Sequence, residues 1–361
     1  MRNIRKNGNL RSVWGTTPII SICNNSKAES LLGIRSDTLV FSNYFITDRF
    51  SYNFTKFYRN RFARVLIRLL VFPWALFRYE IFHFFCDRGI LPTRGSNGIN
   101  RFELMLLHFL GKKVFVYTYG ADVRTRRKTL EMGKYNCCMH CPNIGFECIC
   151  DDERSEKNLN RIRRYATELI SMGDMLEYTR GSINDLFYWP IDIKKVKYVG
   201  VVGDGNRVIK IVHAPNHRHF KGTDYLIEAV QHLKRQGYPV DLLMVERMRN
   251  VDAMRIYEEA DIVAEQFLIG WHGFNAIEAM ALGKPVICYI RKQDYLLAPE
   301  ECPILSANPD NLIETLKDLL DNPKKRIRLG MEGRAYVEKY FSLESFSERL
   351  ARLYRKHGIL R

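Results

Sequence analysis

The chain has 361 residues, 46% of them hydrophobic and 27% charged, which excludes a disordered chain, a fibrous repeat and a small disulfide-stapled scaffold. At this length two domains are expected. The formal charge of +16 is uneven: residues 1–150 hold 23 Lys and Arg against 9 Asp and Glu, whereas residues 151–361 hold 33 against 31.

The start, Met1 to Arg11, is polar and basic with no apolar run behind it, so no secretory signal is read there. Residues 12–14, 38–41, 81–85 and 114–118 are short apolar runs that predict buried strands. Helices fit between them over 26–32, 56–70 and 100–110, with Gly15 in the first strand-to-helix turn. Residues 65–85 are the best membrane candidate, but Arg68, Arg78, Glu80 and His83 interrupt them and Pro73 sits mid-run, so the segment does not span. It can still lie on a membrane: Arg59, Arg61, Arg64 and Arg68 fall on or near one helical face, while Phe62, Leu66 and Leu69 share another and, with Val65, are available to dip into the interface. An amphipathic helix packed on a sheet gives the same pattern.

A break over 188–205, rich in Gly and Pro, marks the expected boundary. Beyond it, strands are predicted over 208–214, 240–245, 261–267 and 285–290. Residues 215–222 read as a polar loop, and Thr223 as the cap of a helix that Gly237 ends. Further helices are predicted over 254–259, 274–282, 310–320, 324–340 and 343–357. Single helices between strands imply parallel sheets with right-handed crossovers. The expected architecture is α/β: two Rossmann-like, doubly wound domains, 1–195 and 196–340, facing across a cleft, with a C-terminal helix over 341–361.

Three segments carry chemistry. The first, from His213 to Thr223, places Arg218, Lys221 and Gly222 between a strand end and a helix start, where open α/β sheets bind anions. The second, from Gly270 to Val286, puts Gly273 and Phe274 at a helix N-terminus with Glu278 one turn further in, a carboxylate able to accept two ribose hydroxyls. The third, from Val114 to Arg124, is a strand that ends in Tyr119-Gly120-Ala121-Asp122. Its turn either aims Asp122 and Arg124 outward or uses Asp122 as a local cap. Separately, Cys138 and Cys141 have zinc-knuckle spacing, and Cys148 and Cys150 can supply two more thiolates; unligated thiols and disulfides are the alternatives.

Residues 208–290 resemble the donor-binding domain of family 4-type retaining glycosyltransferases of the GT-B fold, most closely over Glu278-Ala-Met-Ala-Leu-Gly-Lys-Pro-Val286. The resemblance implies that Glu278 holds the ribose of a nucleotide sugar and that Lys221, with Arg218, neutralises the diphosphate. It also implies that Gly273 and Phe274 pass close to sugar and phosphate. Three features depart from the family: the first of its two glutamates is Gly270, its usual arginine is Asn216, and its Gly-x-Gly turn after the second strand is Val245-Glu-Arg-Met248. The turn at Tyr119–Asp122 is similar to the family's His-Gly-x-Asp turn beside the acceptor, with Gly15, Gly120, Asp122 and Arg124 as acceptor-side candidates.

The implied activity is transfer of a sugar from a nucleotide diphosphate sugar to a glycan or lipid-linked acceptor, with retention, in cell-surface polysaccharide or glycolipid synthesis. Asp122 and Lys221 are the catalytic candidates. No cofactor is expected for catalysis, and a structural zinc is the one metal considered. An anionic membrane surface is an expected partner and nucleic acid is not, which places the protein in the cytoplasm on the inner membrane face. Alternatives are an epimerase or hydrolase of nucleotide sugars on the same scaffold, or an inactive relative that binds membrane or nucleic acid.

Overall fold

The computed structural model describes residues 10–44, 47, 49–57, 60–93, 98–146, 148–201 and 207–361. Arg59 and residues 202–205 of the expected boundary lie outside them. The chain divides into two compact units, Met1–Arg126 with Ile144–Pro190 and Leu343–Arg361, and Arg127–Asn143 with Ile191–Ser342.

The first unit runs β1 (Arg11–Thr16), α1 (Ser21–Ser30), β2 (Arg35–Val40), β3 (Tyr52–Asn53), α2 (Arg61–Arg78), β4 (Ile81–Phe85), α3 (Arg101–Phe109), β5 (Lys113–Tyr117), α4 (Arg126–Leu130), α5 (Asp152–Tyr165) and β6 (Glu168–Ile170). The sheet order is β3-β2-β1-β4-β5-β6, all parallel. Every residue of β4 is buried, as a strand covered on both faces requires. Gly15 is not in a turn: it lies inside β1 opposite Leu39, where a Cβ would come within 2.5 Å of the Leu39 carbonyl oxygen. Helix α2 continues past Pro73 because that residue and Leu69, whose carbonyl loses its partner, both face solvent. The unanticipated α5 is almost wholly polar, yet Asp151 caps it by accepting the Arg154 N–H at 2.9 Å.

The second unit holds β7 (Ile209–His213), α6 (Arg218–Lys221), α7 (Thr223–Arg235), β8 (Val240–Met244), α8 (Asn250–Glu258), β9 (Ile262–Ala264), α9 (Phe274–Ala281), β10 (Val286–Cys288), β11 (Leu305–Ser306), α10 (Leu312–Asp321) and α11 (Pro323–Tyr340). Its parallel sheet has the order β11-β10-β9-β7-β8. Residues 127–143 join it through Lys134 and Tyr135, which both bond Asp310, and through His140, 3.2 Å from the Tyr225 hydroxyl. The expected loop over 215–222 contains the single turn α6. Thr223 is not a cap: the N-cap is Gly222, held at φ 69°, and the Thr223 hydroxyl turns inward to His213.

The last helix, α12 (Leu343–Lys356), packs on α1 in the first unit. Phe346, Leu350 and Tyr354 are fully buried there. Tyr354 donates to Glu29 and lies 2.8 Å from His83 Nε2. Glu29 also accepts from Ser36 at 2.7 Å and from Trp14 Nε1 at 2.7 Å, while the Trp14 and His83 rings stack 3.8 Å apart. Burial alone would raise the Glu29 pKa, but the His83 ring and the hydrogen bonds from His83, Ser12 and Tyr354 outweigh it and hold the carboxyl at about 2.

Candidate functional site

In the second sheet β7 leads to β8 on one side while β9 pairs with β7 on the other, so the strand order reverses between β7 and β9. The carboxyl ends of such a pair are where open α/β sheets take ligands. There Lys221, at the end of α6, bonds Glu265 and, at 2.8 Å, Gln266 Oε1, the two residues that follow β9. The second Glu265 oxygen accepts the Gly273 N–H at 2.9 Å and the Cys288 thiol at 3.3 Å. Glu265 is 2% exposed, so this carboxylate and its lysine form a desolvated pair at the foot of α9. Gly273 is the N-cap of α9, and a Cβ on it would lie 2.7 Å from Glu265 Oε1 and 3.6 Å from Lys221 Nζ. Glycine is what lets the helix start meet the pair. Gly222, in the left-handed region, turns the chain from α6 into α7, where a Cβ would press on Leu268 at 3.1 Å.

Beneath these groups His213 is fully buried. Its Nδ1 donates to the Ala264 carbonyl at 2.7 Å, which leaves Nε2 to accept the Thr223 hydroxyl at 2.8 Å. Burial pushes its pKa down to about 4, so it is a neutral brace between β7, β9 and α7. Arg218 stands at the rim and grips Glu246 through two bonds of 2.8 Å. Phe274 opens α9, and Asn275 Nδ2 ties the helix start to the Ala214 carbonyl at 3.1 Å.

Glu278 faces inward from α9, 4% exposed, and accepts Asn250 Nδ2 at 2.6 Å. Burial raises its pKa to about 7, and the Asn250 bond offsets only part of that. Gly270, where the resembling family has a glutamate, has φ 94°, and a Cβ would sit 2.6 Å from the Arg291 guanidinium carbon. Arg291 bonds the Ile269 carbonyl at 2.8 Å and fills the room a longer side chain at 270 would need. Glu265, Gln266, Asn250 and Arg291 were not singled out in the sequence. A carboxylate directly after an apolar strand was the available signal for Glu265.

In the first unit the strand order reverses between β1 and β4. At that edge Asp87, 2% exposed, accepts the Thr17 hydroxyl at 2.6 Å and Arg88 Nε at 2.5 Å. Asp122 is also 2% exposed; its Oδ1 accepts the Tyr119 and Gly120 N–H groups at 2.9 Å each, the local cap that was one of its two readings. Its Oδ2 is buried without a hydrogen-bond partner, and burial, then the Asp87 charge, raises the carboxyl to about 7. Arg124 pairs with Asp174 at 2.7 Å and lies under Gly120, where φ is 110° and a Cβ would be 2.4 Å from Nη1. Within the unit Arg124 therefore braces the turn.

Cys138 and Cys141 belong to the second unit and Cys148 and Cys150 to the first. Among the described residues no group of three or more His, Cys, Asp or Glu side chains is placed to hold a metal ion. A hydrogen bond from Cys148, outweighing burial, lowers the Cys150 thiol to about 6.

Two parallel-sheet α/β units, each with polar groups at its switch point, are the GT-B fold of glycosyltransferases. No protein-family model and no curated protein sequence matches the chain. Among solved structures it is similar to sucrose-phosphate synthase from Thermosynechococcus elongatus, with 13% identity, a TM-score of 0.62 and coverage of 97% of this chain and 99% of that one. It is also similar to HepE from Anabaena in complex with UDP-glucose, with 12% identity, a TM-score of 0.58 and coverage of 96% and 99%. A third is an alpha-glucosyltransferase in complex with UDP and a 13-mer DNA, with 11% identity, a TM-score of 0.59 and coverage of 96% and 99%. At these identities the likeness concerns the fold.

Proposed function

We propose that the chain is a glycosyltransferase that binds a nucleotide diphosphate sugar in its second unit and transfers the sugar, with retention, to a glycan or lipid-linked acceptor held by the first. The observation that carries this reading is the Lys221–Glu265–Gly273 cluster at the switch point, one helical turn from Glu278. Lys221 is a desolvated cation already opposed by a carboxylate. A diphosphate replaces that opposition with a stronger one as charge develops on the leaving group. Arg218 exchanges Glu246 for the outer phosphate, and the start of α9 adds the helix dipole. Glu278 accepts the ribose hydroxyls, with Asn250 fixing the carboxylate's orientation.

On the acceptor side, Asp122 offers the Oδ2 oxygen that the turn leaves unused, and Asp87 with Thr17 stands at the adjoining strand ends. Retention follows if the departing diphosphate takes the acceptor proton on the same face, so that no buried base is required.

Calorimetry with UDP-glucose, the ligand of the HepE structure, tests the donor half. Binding that is weakened at least about tenfold in Glu278→Ala is expected, the scale of lost charge-assisted hydrogen bonds. Equal affinity in the variant removes the ribose assignment. Incubation with the nucleotide sugar and no acceptor separates transfer from epimerisation or hydrolysis: a new nucleotide sugar or rapid free-sugar release favours the latter two.

A further inference from the structure

Arg291 follows the end of β10 and is tied to the loop that leads into α9. The Tyr289 N–H donates to the Gln266 carbonyl at 2.8 Å, and the Arg291 N–H to the Gly270 carbonyl at 2.9 Å. Gln266 connects this loop to Lys221: its Oε1 accepts Lys221 Nζ at 2.8 Å and its Nε2 donates to the Trp271 carbonyl. The Arg291 side chain folds over Gly270, where a Cβ would come 2.7 Å from Nη2. The guanidinium therefore stands at the same carboxyl end of the sheet as Lys221, on the loop side of the α9 start.

Its charge is unanswered. Lys221 is opposed by Glu265 and Arg218 by Glu246, whereas no carboxylate among the described residues forms an ion pair with Arg291. Nη2 bonds the Ile269 carbonyl at 2.8 Å, and Nη1 reaches only the Met132 thioether sulfur, a weak acceptor, at 3.2 Å. Nε is buried without a hydrogen-bond partner. A guanidinium carries more N–H donors than these two bonds use, and a partly buried cation calls for an anion.

The donor's direction follows from the proposed function, on which this inference rests. Glu278, which takes the ribose, lies about 7.5 Å along α9 from Gly273, where the diphosphate sits. The ribose and the transferred sugar occupy opposite ends of the diphosphate, so the sugar extends back past the helix start, toward residues 269–272 and Arg291. We propose that Arg291 makes the donor pocket selective for a hexuronic acid, whose carboxylate pairs with the guanidinium through two parallel hydrogen bonds. A carboxylate is the anion such a sugar itself carries, the phosphates being already met by Lys221 and Arg218. Where the resembling family has a glutamate, a group that only accepts, this chain presents a cation that only donates. A glutamate at 270 would repel a uronate; Arg291 supplies its counter-charge.

Calorimetry with UDP, UDP-glucose and UDP-glucuronic acid tests the assignment. The parent is expected to bind UDP-glucuronic acid at least about tenfold more tightly than UDP-glucose. Arg291→Gln removes the charge and should bring the two affinities within about twofold of each other. Arg291→Lys keeps the charge without the planar fork and should restore part of the preference. UDP has no sugar to reach Arg291 and should bind parent and variants alike, a control that a merely structural arginine would fail. A parent that binds UDP but favours UDP-glucose, or binds both nucleotide sugars equally, overturns the proposal, as does an undiminished preference in Arg291→Gln. Absence of UDP binding removes the donor site and this proposal with it, and is thereby told apart from a failure at Arg291 alone.

Discussion

Glu278 and Lys221 show how a site residue is set by its partners. With its pKa raised to about 7, Glu278 is half protonated at neutral pH and loses acceptor capacity as the pH falls. UDP-glucose has no phosphate that titrates near neutrality, so its affinity for the protein should rise by about tenfold in all from pH 6 to pH 8, flattening above pH 7, and stay flat in Glu278→Gln. Calorimetry across that range checks it, and parallel slopes in the two proteins remove the assignment. Lys221→Ala alone would strand the buried Glu265 carboxylate and is expected to destabilise the fold by about 3–5 kcal/mol. The paired change Lys221→Met/Glu265→Gln keeps the volume and removes both charges. It should fold normally, and lower turnover by about 100-fold with a smaller change in donor affinity, as expected for a group that acts on the leaving diphosphate. Turnover equal to the parent's would remove the lysine from the reaction.

At the scale of elements, α12 closes the first unit although it comes last in the chain. Its anchor is the Tyr354 hydroxyl, shared between Glu29 and His83. Tyr354→Phe deletes the hydrogen bonds to a buried carboxylate and a buried imidazole and should cost at least about 1.5–3 kcal/mol in urea unfolding. Truncation after Ser342 exposes the surface that Phe346 and Leu350 cover and should leave a protein without a cooperative melt. A truncated chain as stable as the parent would mean that α12 only decorates the sheet.

Across the whole molecule, buried carboxyls pull stability in opposite directions with pH. Glu103, which accepts the Ile90 and Leu91 N–H groups, Asp122 and Glu278 all have pKa values raised to about 7, chiefly by burial. Their contribution is present below the unfolded carboxyl range and is lost as the pH rises through about 7. Glu29, held at about 2, contributes above its unfolded value of about 4.5 and loses that contribution as the pH falls toward 2. The melting temperature should therefore be higher at pH 5 than at pH 8, with the slope reduced in Glu103→Gln, and should drop again below pH 4. A melting temperature that climbs from pH 5 to pH 8 contradicts this balance.

Local sequence determined most of the elements, because strands buried on both faces must be apolar and helices on a sheet must carry an apolar stripe. Residues 81–85 and the helix starting at Phe274 are cases where pattern and structure coincide. The Glu278 block was legible because Gly273 starts a helix, Glu278 lies about a turn into it, and Gly283 and Pro285 punctuate its end before the next strand. Helix α5 was not, since its buried face uses Ser155 and Asn158, which no hydrophobic period reveals. Only the tertiary structure decided that Glu265 opposes Lys221 and that Arg291 excludes a side chain at Gly270. It alone turned Arg68 inward onto the Gly89 and Ile90 carbonyls, turned Arg124 inward too and returned the final helix to the first unit. Each of these is a contact between residues distant in the chain, chosen by which buried charge lacked a partner and which space was already filled. Periodicity reports which face of an element is buried, and packing decides what that face meets.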